Sequence, residues 1–236
     1  MVYKRVLINN LMFLMLFLSV FFIKADTCFA KEVEVKTEVK LILGLKQISE
    51  ETMNLKDMRD IRFGKLKKDL EEFKDKGSAK ISEKSYFYPL NPTNFTEEEM
   101  EWGIASTGLI GLGKDFRDAG EEVGVNPILL MAMAKHETGN GTSELFKNKR
   151  NLFGFNAVDH DPYNQATDFK DERESIFTVA KHLKNEYLDK DGKFYNGIST
   201  NGIGTLYATD PDWSKKVDWM MIEVARDMIS NYEKND

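Results

Sequence analysis

One carboxylate beside a glycine-containing turn is where this chain could do chemistry. Glu137 is the single acidic residue of His136-Glu137-Thr138-Gly139-Asn140-Gly141-Thr142-Ser143. Directly before it, Ile128 to Ala134 is wholly apolar. A carboxyl group carried from a buried helix to an opening is desolvated. Desolvation penalises its charged form and raises its pKa, the state a general acid needs. The same residues also fit a helix that simply ends at Gly139 with Glu137 solvated in its last turn. Residue types alone leave both readings open.

Other chemistries are easier to exclude. His136-Glu137 begins like the zinc-protease pattern His-Glu-x-x-His, but Asn140 stands where the second histidine belongs. Cys28 is the only cysteine, so no disulfide framework or thiolate metal site can form, and the histidines are limited to His136, His160 and His182. No metal or cofactor is expected. A formal net charge of -6 and a pI near 5.3 argue against nucleic acid as the main partner. With 236 residues, 42% hydrophobic and 31% charged, the chain is long enough for a sizeable core under a well-solvated surface.

The elements that must position Glu137 follow from periodicity and caps. Residues 1–30 read as an export signal: Lys4 and Arg5 precede an apolar run from Leu11 to Ile23, and Ala30 offers a small residue for cleavage. The run falls short of the roughly 20 residues that span a bilayer. A retained membrane anchor is the alternative, and Asp26 disfavours lipid attachment at Cys28. Either way the bulk of the protein is expected outside the cytoplasm, secreted to the wall or tethered. Residues 31–45 alternate Val33, Val35, Val39, Leu41 and Leu43 with mostly charged residues, which predicts an amphipathic strand. From about 50 to 77 helical spacing takes over, with Phe63, Leu66, Leu70 and Phe73 as its stripe. This charged helix packs on the main domain or serves a membrane partner. Residues 77–94 are a linker punctuated by Gly77, Pro89 and Pro92.

Residues 95–236 read as one mainly α domain with a small irregular or β lobe. Thr96 caps a helix that opens with Glu97, Glu98 and Glu99. Leu112, Phe116, Ala119 and Val123 mark a core-facing helix ended by Gly124. Asn126 and Pro127 start the apolar helix that carries Glu137; apolar on every side, it belongs at the centre. Ser143 starts a short helix, residues 151–155 are extended or turning, and residues 156–172 form a polar lobe. Asp171-x-x-Glu174 resembles a capping box before a helix with Ile176, Val179, Ala180, Leu183 and Tyr187 on one stripe. Residues 188–206 read as loop. Asp210 and Pro211 then open a last helix, with Val217, Met220, Val224 and Met228 buried.

Residues 108–230 resemble the catalytic domain of bacterial peptidoglycan glucosaminidases, the family of cell-wall autolysins. Three segments carry the likeness: Asn126-Pro127 through Glu137-Thr138-Gly139 to Ser143, Asn151-Leu152-Phe153-Gly154, and Tyr207-Ala208-Thr209-Asp210. The resemblance implies a lysozyme-like α-helical fold and hydrolysis of the β-1,4 bond on the reducing side of N-acetylglucosamine in peptidoglycan strands. By carry-over Glu137 is the proton donor and Tyr207 borders the bond being cut. Asn140, Thr142, Asn151, Phe153, Gly154 and Asp210 are the implied substrate-binding residues, and Trp213 is a further apolar face or a core residue.

A second carboxylate is harder to assign. A base for inversion stands roughly 6.5–9.5 Å from the acid and a nucleophile for retention roughly 5–5.5 Å. Asp159, Asp161, Asp168, Asp171, Glu172 and Glu174 compete for the role; capping better explains Asp171 and Glu174, and Glu172 or Asp168 is the choice among the rest. Substrate assistance by the sugar's acetamido group would need none of them. The rival functions are a lytic transglycosylase or muramidase on the same strands, and a non-catalytic wall-binding module.

Overall fold

The computed structural model describes residues 28–157 and 162–235, and the expected export signal lies almost wholly outside them. Two compact units divide after Asp57. Among the described residues there are helices and turns but no strand, and no helix is long and apolar enough to cross a membrane. The domain is mainly α, as the residue patterns indicate.

The first helix, α1, runs Cys28–Lys76. Residues 31–45 are therefore helical, not the expected strand. An isolated strand leaves its backbone groups unpaired, and there is no partner strand among the described residues. Lys, Glu and Leu, which dominate this stretch, favour the helix that satisfies the backbone locally. Within the first unit Val39, Leu41, Ile42, Leu43 and Ile48 are exposed.

The second unit starts at Met58 and takes in the rest of α1, whose Phe63, Leu66, Leu70 and Phe73 are buried in one core with residues from 86 to 228. The apolar stripe of the charged helix is thus core, and the linker adds Tyr86 and Phe87 to it. Helix α2, Glu97–Glu101, has a full capping box: Thr96 accepts from the Glu99 backbone, and the Glu99 side chain accepts from that of Thr96. Helix α3, Gly113–Val123, ends at Gly124 in the left-handed region.

Helix α4, Pro127–Thr138, is the centre. Every residue from Ile128 to Ala134 is fully buried, each contributing about 1.5–3 kcal/mol of apolar burial for the large side chains. Asn126 starts it in two ways. Its Oδ1 accepts from the Ile128 and Leu129 backbones, and its amide donates to the carbonyls of Tyr86 and Tyr88. The cap of the central helix is therefore also a clamp on the linker.

Four shorter elements follow: α5, Glu144–Lys149, capped by Ser143; α6, Pro162–Gln165; α7, Glu172–His182, which continues as a π-helical turn to Leu188; and α8, Thr200–Tyr207. Helix α8 corrects the reading of 188–206 as loop. Its glycines are packing residues: a Cβ on Gly202 would lie 2.2 Å from the Gly197 carbonyl, and one on Gly204 would lie 2.8 Å from the Trp213 ring. At α7, Asp171 accepts from Glu174 N, while Glu174 accepts from Lys170 N and not from the cap itself, so only half of a capping box forms. The last helix, α9, Trp213–Asn235, packs along α4. Its buried stripe holds Met221, with Met220 only partly covered, and Asp210 accepts from Asp212 N in the preceding turn instead of capping the helix.

Candidate active site

Glu137 is placed by its helix end. Gly139 closes α4 with φ of 55° and Gly141 follows at 80°, conformations that favour glycine. Gly141 also packs against Gly108 so closely that a Cβ on it would lie 2.5 Å from the Gly108 carbonyl carbon. Thr138 locks the turn from inside, donating to Ala134 O and accepting from Gly141 N. The Thr-Gly-Asn-Gly sequence is therefore what aims the last turn of α4, and Glu137 with it.

The Glu137 side chain is partly buried and has one neutral donor, Trp213 Nε1, 2.8 Å from Oε1. Burial raises its pKa above the usual carboxylate value, opposed by the Trp213 hydrogen bond and the nearby His136. The indole N–H can only donate, so it favours the charged form. Burial outweighs it. A carboxyl group in this setting holds its proton longer than a solvated one, yet keeps one fixed donor to receive its charge once the proton has left.

Trp213 links the three segments singled out in the sequence. Its ring lies 5.0 Å from that of Tyr207, whose hydroxyl donates to the Phe153 carbonyl at 3.3 Å. Glu137, Tyr207 and Phe153 thus converge through one tryptophan. Burial holds the Tyr207 phenol well above its ordinary pKa, with Glu137 and then Tyr187 adding to the effect, so it stays a neutral donor. Tyr187 backs it at 5.8 Å in an edge contact.

Several implied binding residues have other duties. Asn151 is 1% exposed and donates to Phe155 O and Thr167 O, while its Oδ1 accepts from Phe153 N and Phe155 N. Its polar side chain is spent on folding its own loop, and nothing is left for a sugar. Phe153 is 3% exposed and offers no open face. Gly154 supplies a left-handed turn at φ of 63°. The Thr142 hydroxyl donates to Gly139 O. Asn140 lines a polar cavity of about 390 Å³ with Lys135, Glu223 and Asp227, walls that do not include Glu137. Asp210 lines another of about 450 Å³ and is paired with Lys216, which keeps its carboxyl below the usual range.

None of the described candidates for a second carboxylate acts on the pKa of Glu137. Asp168 pairs with Arg150 at 3.2 Å in an exposed position. Glu172 sits in the first turn of α7, where negative charge favours the helix. Asp159 and Asp161 lie outside the described residues. Among the described residues, no other carboxylate contributes to the shift of Glu137, and no group of His, Cys, Asp and Glu is arranged to hold a metal.

Sequence reasoning missed the role of Trp213. It is 2% exposed, which rules out an open sugar platform, and its value lies in the one polar atom of an otherwise apolar ring. Its position after Asp-Pro at a helix start gave no sign that the N–H would reach across to α4.

The chain is similar to several known proteins. Residues 113–226 match the model of the Glucosaminidase family, described as mannosyl-glycoprotein endo-beta-N-acetylglucosaminidase. A Streptococcus pneumoniae protein described as "Putative endo-beta-N-acetylglucosaminidase" is 31% identical over 137 residues, covering 56% of this chain and 21% of that protein. The "Bifunctional autolysin" of Staphylococcus aureus is 28% identical over 148 residues, covering 52% of this chain and 12% of that protein. The crystal structure of S. aureus autolysin E is 25% identical, covers 59% of this chain and 69% of that one, and has a TM-score of 0.49. The chain spans about a fifth or less of the length of these curated relatives. The likeness to the glucosaminidase family lies in residues 113–226, which hold Glu137, Tyr207 and Trp213.

Proposed function

We propose that the chain is a glycoside hydrolase of peptidoglycan, cutting the β-1,4 bond on the reducing side of N-acetylglucosamine with Glu137 as general acid. The observation that carries this is the placement of Glu137: partly buried at the end of α4, its pKa raised by burial, with the Trp213 N–H on one oxygen. The S. pneumoniae and S. aureus relatives, named as an endo-beta-N-acetylglucosaminidase and an autolysin, support the substrate class. Such a substrate lies outside the cytoplasmic membrane, so the site works there.

In the proposed reaction Glu137 gives its proton to the leaving glycosidic oxygen as the bond to the anomeric carbon breaks. The acetamido oxygen of the same N-acetylglucosamine attacks that carbon, forming a cyclic oxazolinium. Glu137, now a carboxylate held by Trp213, takes a proton from the water that opens the ring, and one water has been added overall. This route needs no second carboxylate, and none among the described residues acts on Glu137. The neutral Tyr207 hydroxyl borders the bond and donates there only by exchanging its Phe153 carbonyl partner for a substrate group.

Single-carboxylate chemistry also fits a second reading, a lytic transglycosylase, in which an intramolecular hydroxyl replaces water. Mass spectrometry of digested, purified glycan strands separates the two. Reducing-end N-acetylglucosamine is the expected product, and anhydro-muramic ends would overturn the hydrolase reading.

A further inference from the structure

The third tryptophan of the chain has no place in the mechanism above. Trp219 lies on α9 and is 53% exposed, whereas Trp213 on the same helix is 2% exposed. It is held in place: its N–H donates to Glu223 Oε1 at 3.1 Å, and the Arg226 guanidinium lies 5.8 Å from its ring centre. With Met220, Lys215, Lys216 and His136 it lines a cavity of about 300 Å³. An exposed, pre-oriented aromatic beside a catalytic helix end is a place for binding, because its area is available at little entropic cost.

The chemistry of the lining selects the ligand. Lys215 is paired with Asp212 at 2.8 Å and Lys216 with Asp210 at 2.5 Å, so the two cations are already compensated. What remains is a flat apolar ring with polar groups at its edge. That suits a pyranose, which has an apolar face of C–H groups and a rim of hydroxyls, better than it suits a polyanion. The cavity is also lined by residues of the two helices that carry the site. His136 shares the last turn of α4 with Glu137, and Lys216 lies one turn along α9 from Trp213.

We propose that Trp219 is the stacking floor of an accessory sugar subsite, taking a pyranose ring of the same glycan strand whose neighbouring bond Glu137 cleaves. This rests on the glycosidase reading for its ligand, and the test separates the two. The full chain carrying Glu137→Gln is titrated calorimetrically with peptide-free glycan strands and with an N-acetylglucosamine tetrasaccharide, with and without Trp219→Ala or Trp219→Phe. Trp219→Ala is expected to weaken binding of both ligands about tenfold, a loss of the size one good aromatic contact supplies. Trp219→Phe, which keeps a flat face, is expected to recover most of it. Equal affinity with and without the indole overturns the subsite, as does failure of the parent to bind either ligand. Loss confined to the carboxylate-bearing strands also overturns it, by pointing to charge and not stacking. The glycosidase reading stands or falls separately, on whether Glu137→Gln stops digestion of the strands. Because Trp219 is exposed, an unchanged melting temperature confirms that each variant is folded.

Discussion

Glu99 and Glu137 are both carboxylates set into helical structure beside the core, and their surroundings differ in kind. Glu99 is fully buried and answered on every side: Arg59 Nε at 3.2 Å, Arg62 Nε at 3.1 Å and NH2 at 2.6 Å, and the Thr96 backbone N–H at 2.9 Å. Glu137 is only partly covered and has a single neutral donor. A buried charge is tolerable only when paired and hydrogen-bonded. Glu99 meets that condition, and its oxygens are occupied by the fold. Glu137 does not meet it. Burial with no ion-pair partner among the described residues is what raises its pKa, against the weaker pull of His136, and an incompletely satisfied oxygen is what a substrate can use.

The contrast can be broken or sharpened by substitution away from Glu137 itself. The largest effect belongs to Glu99→Gln, which leaves Arg62 buried beside a neutral group; removing one member of a buried pair costs about 3–5 kcal/mol. Denaturant unfolding should show that loss, while rate per folded molecule is retained. A severe loss of rate in the folded fraction would mean that Glu99 is more than structural.

A third carboxylate, Asp218, tests burial without a cation in a different place. Its Oδ1 accepts from Thr200 Oγ1, and burial pushes its pKa from the ordinary 3.8 to about 6. The folded state therefore binds this proton more tightly than the unfolded chain. Its contribution to stability is fully present below the unfolded pKa and is lost as pH rises through about 6, a difference of roughly 3 kcal/mol. Unfolding free energies measured across that window should fall with rising pH in the wild type and fall less in Asp218→Asn. Parallel curves would show that Asp218 is not the source.

Trp213→Phe keeps an aromatic ring and removes the only donor to Glu137 among the described residues. An unmade hydrogen bond to a buried acceptor costs about 1–3 kcal/mol. Since the N–H lowers the pKa of Glu137, its loss should move the alkaline limb of the pH-rate profile to higher pH. A shift in the opposite direction would show that the indole does not act on the carboxylate. Smallest is Tyr207→Phe, which loses the bond to the Phe153 carbonyl, worth about 0.5–1.5 kcal/mol of stability in thermal melts. A drop in rate well beyond that loss supports Tyr207 at the bond being cut.

Local signals in the sequence carried much of this. Asn126-Pro127 set the start of α4 and Gly139 its end, so Glu137 was legible as the last-turn carboxylate of a buried helix. What it would touch was not. The Trp213 bond joins residues 76 apart in the chain, and no periodicity reports such a meeting. Asn151 was legible as important but its role was misread, because a buried amide that organises its own loop and one that binds a sugar look alike in sequence. The alternation in residues 31–45 suggests a strand, but period two carries no information on what would pair with it. Gly202 and Gly204 suggest a loop, whereas both let other segments approach α8 closely, Gly202 the Gly197 carbonyl and Gly204 the Trp213 ring.

The central claim is that Glu137 gives the proton that breaks the glycosidic bond. Its direct test is the initial rate of release of reducing-end N-acetylglucosamine from purified peptidoglycan strands by the full chain and by Glu137→Gln, at equal concentrations of folded protein. A general acid contributes about 10²–10⁴-fold, so the account predicts a loss in that range with the melting temperature preserved. Release by Glu137→Gln at or near the wild-type rate would contradict it.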